Sequence, residues 1–389
     1  MILRALLILG MMLAGSAARA CVPAPTGGAS QTVINALLQS GGAGTVVALC
    51  PRTVYPLTAP VVFTAPDQEL STQGAPPGPA RAVLRVEGAD QAMAILGQCP
   101  ACSGLRIRNL QVDGNRPALG RLPKGGALIE IGGATSGQLV RNVHAFEPRG
   151  WSALHVFEGA LDCRGAQVLD NQIGPSGQPD GAWADGISYA CRDGQVAGNT
   201  VTDATDGGIV IFQAPGTLVE HNTIVARTRT LMGGINMVDY KPYDGDYSGT
   251  VVRDNRIEAQ GAMIKVGLAV GPAVWGLGQQ AVQGGTVEDN RVEGAPLGYG
   301  LAVGGVSGFT IGGNIVTGAF AGHEDVVAPG NHDPYPKCGV QHPNPAPQAA
   351  VISLADSIGD FGAQRFVAVP PFAVLICLQP AGQTPGPAP

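Results

Sequence analysis

The chain has 389 residues, with 58 glycines, 31 prolines and only 13% charged residues, a composition of many turns and few long helices. Basic residues number 23 against 29 acidic ones, so the balance expected of a nucleic-acid binder is missing. After the first twenty residues no stretch is long and apolar enough for a membrane helix.

Residues 1–20 read as a cleaved secretory signal. Met1-Ile2-Leu3-Arg4 is a short basic start, residues 5–15 are apolar, and Ala18-Arg19-Ala20 is a small-residue cleavage site. Cys21 follows the cut, so a lipoprotein is the alternative. Arg19, and Ala18 in place of a large aliphatic, argue against it. The expected location is secreted or periplasmic. Eight cysteines in an exported chain imply disulfides.

The fold is expected over residues 21–378. Residues 31–39 carry Val33, Ile34, Leu37 and Leu38 at helical spacing. A short helix there, followed by the strand 45–49, would cover the open strand edge of a first coil. Short strands follow at 55–57, 61–64, 82–86 and 93–96.

From 105 to 318 the coils become regular. Six times an Asn sits between β-branched aliphatics as V/I-x-x-N-x-I/V, at Asn171, Asn199, Asn222, Asn255, Asn290 and Asn314. A repeat at such spacing means a solenoid. Each copy reads as a short strand whose apolar face is buried only by stacking. Stacked Asn amides can hydrogen-bond between coils. A second strand lies downstream in each coil: 154–156, 187–189, 209–211, 235–237, 264–266 and 301–303. Its middle residues, His155, Ser188, Val210, Asn236, Lys265 and Ala302, should point outward. A glycine directly precedes this strand at Gly186, Gly208, Gly234 and Gly300. Residues 319–350 read as a long loop or cap, and 379–389 as a disordered tail.

The repeat pairs two cysteines. Cys163 and Cys191 each stand eight residues before an Asn of the repeat. Coils stacked about 4.8 Å apart allow a disulfide there. Cys99-Pro-Ala-Cys102 is either a local bridge or a redox motif, and nothing thioredoxin-like surrounds it. Cys21–Cys50 and Cys338–Cys377 are then the remaining pairs, with a mixed pairing of these four as the alternative.

This organisation resembles the right-handed parallel β-helix of the pectin-lyase-like superfamily, an all-β, single-stranded solenoid with a short N-terminal cap helix. The resemblance covers roughly residues 30–320. The nearest motif pattern is similar to that of polygalacturonase-type glycoside hydrolases. Ala184-Asp185-Gly186-Ile187 stands where that family has an N-T-D-G-I-like segment, and Asp206-Gly207-Gly208-Ile209 where it has a D-D-x-I-like one. Met232-Gly233-Gly234-Ile235 and Met263-Ile264-Lys265 stand for its G-H-G-like and R-I-K-like segments. The second aspartate, the histidine and the arginine are missing. The resemblance therefore carries over only Asp185, Asp206 and Lys265.

Asp185 and Asp206 fall on adjacent coils, one residue out of frame, with backbones about 6 Å apart. Paired carboxylates at such range serve glycosidic cleavage. The reading assigns Asp206 as general acid and Asp185 as base or nucleophile. The competing reading is two Asp-Gly turns. Candidate substrate contacts are Lys265, Asn236, Arg227, Arg229, Trp183, Asp239, Tyr240 and His155. No metal site is expected. Asp239, Asp244 and Asp246 are at most a weak calcium candidate, lacking a full ligand series. The expected function is a secreted glycoside hydrolase-type enzyme acting on a polysaccharide or oligosaccharide. The alternatives are a polysaccharide lyase and a non-catalytic glycan-binding β-helix. Oligomeric state is not legible.

Overall fold

A computed structural model describes residues 20–178, 183–238, 241–275, 280–324, 351–354, 358–362, 364–369 and 378–380. Successive strands pair in parallel with the equivalent strand one coil later, forming three ladders around one core. One ladder runs through 139–141, 167–169, 195–197, 218–220, 251–253 and 286–288. The second and third merge where Arg256–Val270 and Arg291–Val303 each run through both without a break.

Register stacks like on like. Val168, Val196, Val219, Val252 and Val287 form one buried row. Leu154, Ile187, Ile209, Ile235, Leu268 and Leu301 form another, each at most 1% exposed. Each such side chain contributes roughly 1.5–3 kcal/mol of burial that a lone coil could not supply.

The asparagine repeat is a corner rather than a strand. Val168 belongs to the strand Gln167–Leu169, whereas Ile173 belongs to Gln172–Ile173 in the next ladder. The residue before each Asn is left-handed: Asp170, Gly198, His221, Asp254, Asp289 and Gly313 have φ between 54° and 67°. That turn aims the Asn inward. Asn171 Nδ2 donates to Asn199 Oδ1 at 2.8 Å, and the same bond recurs down to Asn290–Asn314 at 2.9 Å. Gln364 Oε1 accepts from the Asn314 N–H and closes the ladder.

The cap helix spans Ser30–Gly41 and buries Ile34 and Leu38. Val33 and Leu37, expected to pack, are 40% and 38% exposed. The polar face does the edge covering. Gln31 pairs with Thr58, and Asn35 takes the Val62 N–H and the Pro60 carbonyl. At the other end residues 379 and 380 are ordered rather than part of a disordered tail, and residues 381–389 lie outside the described residues. Leu378–Pro380 is a strand antiparallel to Gly322–Glu324, because Leu378 is 4% exposed within an apolar cluster outside the core.

Cys163–Cys191 and Cys99–Cys102 are disulfides, as is Cys21–Cys50. Cys338, Cys377 and residues 1–19 lie outside the described residues. Cys163–Cys191 closes a 28-residue separation with Cα atoms 5.0 Å apart. Its removal by a double Cys→Ser change should lower stability by about 3 kcal/mol in urea unfolding. An unchanged midpoint would show that coil stacking alone holds this pair of coils.

Candidate active site

The register places the carboxylates where the repeat implies. Ile187 pairs with Ile209, so Asp185 faces Gly207 and Asp206 faces Ala184. The Gly207 N–H donates to Asp185 Oδ1 at 2.8 Å, and the Asp206 N–H donates to the Ala184 carbonyl at 3.2 Å. Gly207 stands where the resemblance would put a second aspartate. A Cβ there would lie 2.1 Å from Val210 Cγ2 and 3.1 Å from Asp185 Oδ1. The glycine lets the backbone N–H, rather than a side chain, approach Asp185.

Asp185 is 5% exposed, while Asp206 is half-buried. Ser188 Oγ lies 2.7 Å from Asp185 Oδ2 and 2.9 Å from Ser152 Oγ. Ser152 Oγ donates to the Leu154 carbonyl at 3.0 Å. Burial pushes the Asp185 carboxyl well above its ordinary value, and the neighbouring Asp206 charge adds to this. Ser188 and the Gly207 N–H act in the opposite direction. Burial also pushes Asp206 up to about 6. Adjacent like charges resist double ionisation. Near neutrality the pair therefore holds one proton between them, on the carboxyl that burial disfavours most as an anion. The sequence reading puts the acid on Asp206, whereas the deeper burial of Asp185 favours the proton there.

His155 and Asn236 lie in the same outward row, through His155–Ser188–Val210–Asn236. His155 Nδ1 is 3.6 Å from Glu130 Oε1, and Gln98 Nε2 donates to that same oxygen at 2.8 Å. The exposed Trp151 indole meets the His155 ring edge-on at 4.8 Å between centroids. Asn236 is 4% exposed, and its Oδ1 accepts no hydrogen bond among the described residues. It adjoins the gap left by Gly207, whose Cβ would lie 3.0 Å from Asn236 Nδ2.

Lys265 is not in that row. Asn236 pairs with Ala269, and Ala269 with Ala302. Lys265 precedes Ala269 by four residues and is 4% exposed, not a solvated mid-strand lysine. The alternating pairs Ile264/Val266 and Leu268/Val270 read alike in sequence. Gly267, directly before Leu268, is the signal that separates them. A Cβ there would meet Val292 Cγ1 at 2.5 Å, so this glycine faces the core as its counterparts do.

The two arginines are engaged elsewhere. Arg229 pairs with Glu147 at 2.6 Å and donates to the Gly177 carbonyl, and Arg227 Nε donates to Gln260 at 2.9 Å. Asp203 organises their turn by accepting from the N–H groups of Arg227, Thr228 and Arg229. Trp183 is half-buried against the apolar cluster of Val210, Met232 and Met263. Asp239 and Tyr240 lie outside the described residues. Of the calcium candidates, Asp244 is paired with Lys241 and Asp246 accepts from the Ser248 N–H. Ser152 and Ser188 are the site residues missed from sequence. Each is an ordinary serine until register sets Ser152 beside Asp185. A cavity of about 300 Å³ bounded by Gln167, Asp193 and Gln195 lies on another ladder. It contains no acid–base pair, so the carboxylates mark the better candidate.

Residues 180–316 match the family described as right handed beta helix region. No curated protein matches the sequence. Among solved structures, DFA-IIIase from Arthrobacter chlorophenolicus A6, in complex with DFA-III, is similar with a TM-score of 0.50 and 13% identity. The match covers 90% of this chain and 97% of that one. An exopolygalacturonase from Thermotoga maritima has a TM-score of 0.47 and 13% identity, over 76% of this chain and 84% of that one. The A-module of the mannuronan C-5 epimerase AlgE6 from Azotobacter vinelandii has a TM-score of 0.46 and 16% identity, over 89% and 96%. At such identities the likeness concerns architecture, and together with the stacked ladders it makes this chain a right-handed parallel β-helix.

Proposed function

We propose that the protein is an exported enzyme that cleaves glycosidic bonds by carboxylate acid–base catalysis, with Asp185 as general acid and Asp206 as base or nucleophile. The observation that carries this is the pair itself. Two carboxyls on adjacent coils are both raised by burial, and Asp185 is the more deeply buried of the two. Environments that separate two such groups define an acid and a base. Trp151 on the preceding coil offers an aromatic face to a sugar ring. Asn236 lies beyond Asp206 on the next coil, in the same outward row as His155. The disulfides Cys21–Cys50, Cys99–Cys102 and Cys163–Cys191 suit an oxidising compartment.

The substrate is a neutral rather than a uronic sugar. Binding a uronic sugar, for hydrolysis or for elimination, calls for a cation at the sugar carboxylate. Arg229 and Arg227 are bound to Glu147 and Gln260, and Lys265 lies two coils past Asp206. A panel of neutral and acidic glycans, assayed for reducing ends and for unsaturated products, tests the proposal. Reducing ends without unsaturation, from a neutral glycan, are expected. Unsaturated ends would establish a lyase, and no product from any glycan would favour a binding protein.

A further inference from the structure

Asp185 must hold a proton in one state and a charge in the other, yet it is buried in both. Its Oδ1 is fixed by the Gly207 N–H, which leaves Oδ2 to face Ser188. We propose that Ser188 and Ser152 form a reversible hydroxyl relay that serves Asp185 Oδ2 in both protonation states, and so act as positioning residues for the acid step. This rests on the function proposed above.

The donors can be counted in each state. When Asp185 is protonated, Oδ2–H donates to Ser188, Ser188 donates to Ser152, and Ser152 donates to the Leu154 carbonyl. When Asp185 is ionised, Ser152 turns to donate to Ser188, and Ser188 turns to donate to Oδ2. Each hydroxyl keeps its own proton and only rotates. The proton lost by Asp185 goes to the leaving oxygen of the substrate. The Leu154 carbonyl loses a donor in the second state, but a carbonyl has a second lone pair for its other partners. Ser152 and Ser188 are both 0% exposed, so water does not substitute for either. The titratable groups flanking Asp185 are Asp206 on one side and His155, with Glu130 behind it, on the other. Asp203, in the turn before Asp206, is held by Thr228.

The two serines should act with opposite sign. Without Ser188, the ionised form loses a charge-assisted bond, the stronger of the two kinds. Without Ser152, the protonated form leaves the Ser188 proton buried with no acceptor, while the ionised form keeps its donor. The test is a carboxyl ¹³C NMR titration of Asp185 in the full chain, with the resonance assigned from Asp185→Asn. Ser188→Ala should raise the midpoint by about one pH unit, and Ser152→Ala should lower it by a similar amount. Ser188→Thr, which keeps the hydroxyl, should restore the native value. Shifts of the same sign, or none, in folded variants would overturn the relay. The titration needs no substrate. Failure of the catalytic assignment shows itself separately, as glycan cleavage undiminished by Asp185→Asn.

Discussion

Asp206→Asn should make the protein more stable at pH 8 while removing its activity. In the unfolded chain Asp206 titrates near its ordinary 3.8, and in the fold near 6. The folded state therefore binds the extra proton between these values, and stability falls as pH rises through that window. Above it, the ionised Asp206 costs the fold on the order of 2–3 kcal/mol. Asn removes that cost and also relieves Asp185, which the Asp206 charge pushes up. Urea unfolding should give nearly equal stabilities for variant and wild type at pH 4, with the variant ahead at pH 8. A difference of the same size at both pH values would mean that Asp206 titrates normally. Turnover should fall about 10²–10⁴-fold, the usual contribution of an acid–base group.

Asn222→Leu should cost roughly 3–5 kcal/mol despite the similar size of the side chains. Asn222 Oδ1 accepts from both the N–H and Nδ2 of Asn199, at 3.0 and 2.9 Å. Its Nδ2 donates to the Val196 carbonyl at 2.8 Å and to Asn255 Oδ1 at 2.9 Å. Leucine removes all four bonds and strands buried donors of Asn199 where water cannot reach. Asn314→Leu should cost less, since Asn314 is 7% exposed and has Gln364 rather than a further Asn beyond it. Equal losses at the two positions, measured by urea unfolding, would mean that the ladder does not act as a cooperative row.

The solenoid was legible because every coil repeats the same apolar pairs, and stacking turns that repeat into register. The asparagine corner was less so. The repeat V-x-x-N-x-I looks like one strand, and the left-handed residue before Asn changes identity from Asp170 to Gly198 to His221. What those residues share is tolerance of positive φ, a subtler mark than hydrophobicity. Lys265 was set in the wrong frame because two apolar pairs alternate alike in its strand. The positions of Asp185 and Asp206 were readable, but their unequal burial was not, since the whole neighbourhood contributes to it. The engagement of Arg229 could not be read either. Its partner Glu147 lies 82 residues away in sequence.

Cleavage by this pair requires Asp206 ionised and Asp185 protonated at the working pH. The pH dependence of glycan cleavage by wild type and Asp206→Asn measures this directly, on a neutral glycan identified by the panel. A bell is expected, with its acidic limb at about 6 and a loss of rate at higher pH as Asp185 ionises. The acidic limb should vanish in Asp206→Asn along with nearly all of the rate. Cleavage that keeps its rate and its pH profile in Asp206→Asn would contradict the assignment of this pair as the catalytic site.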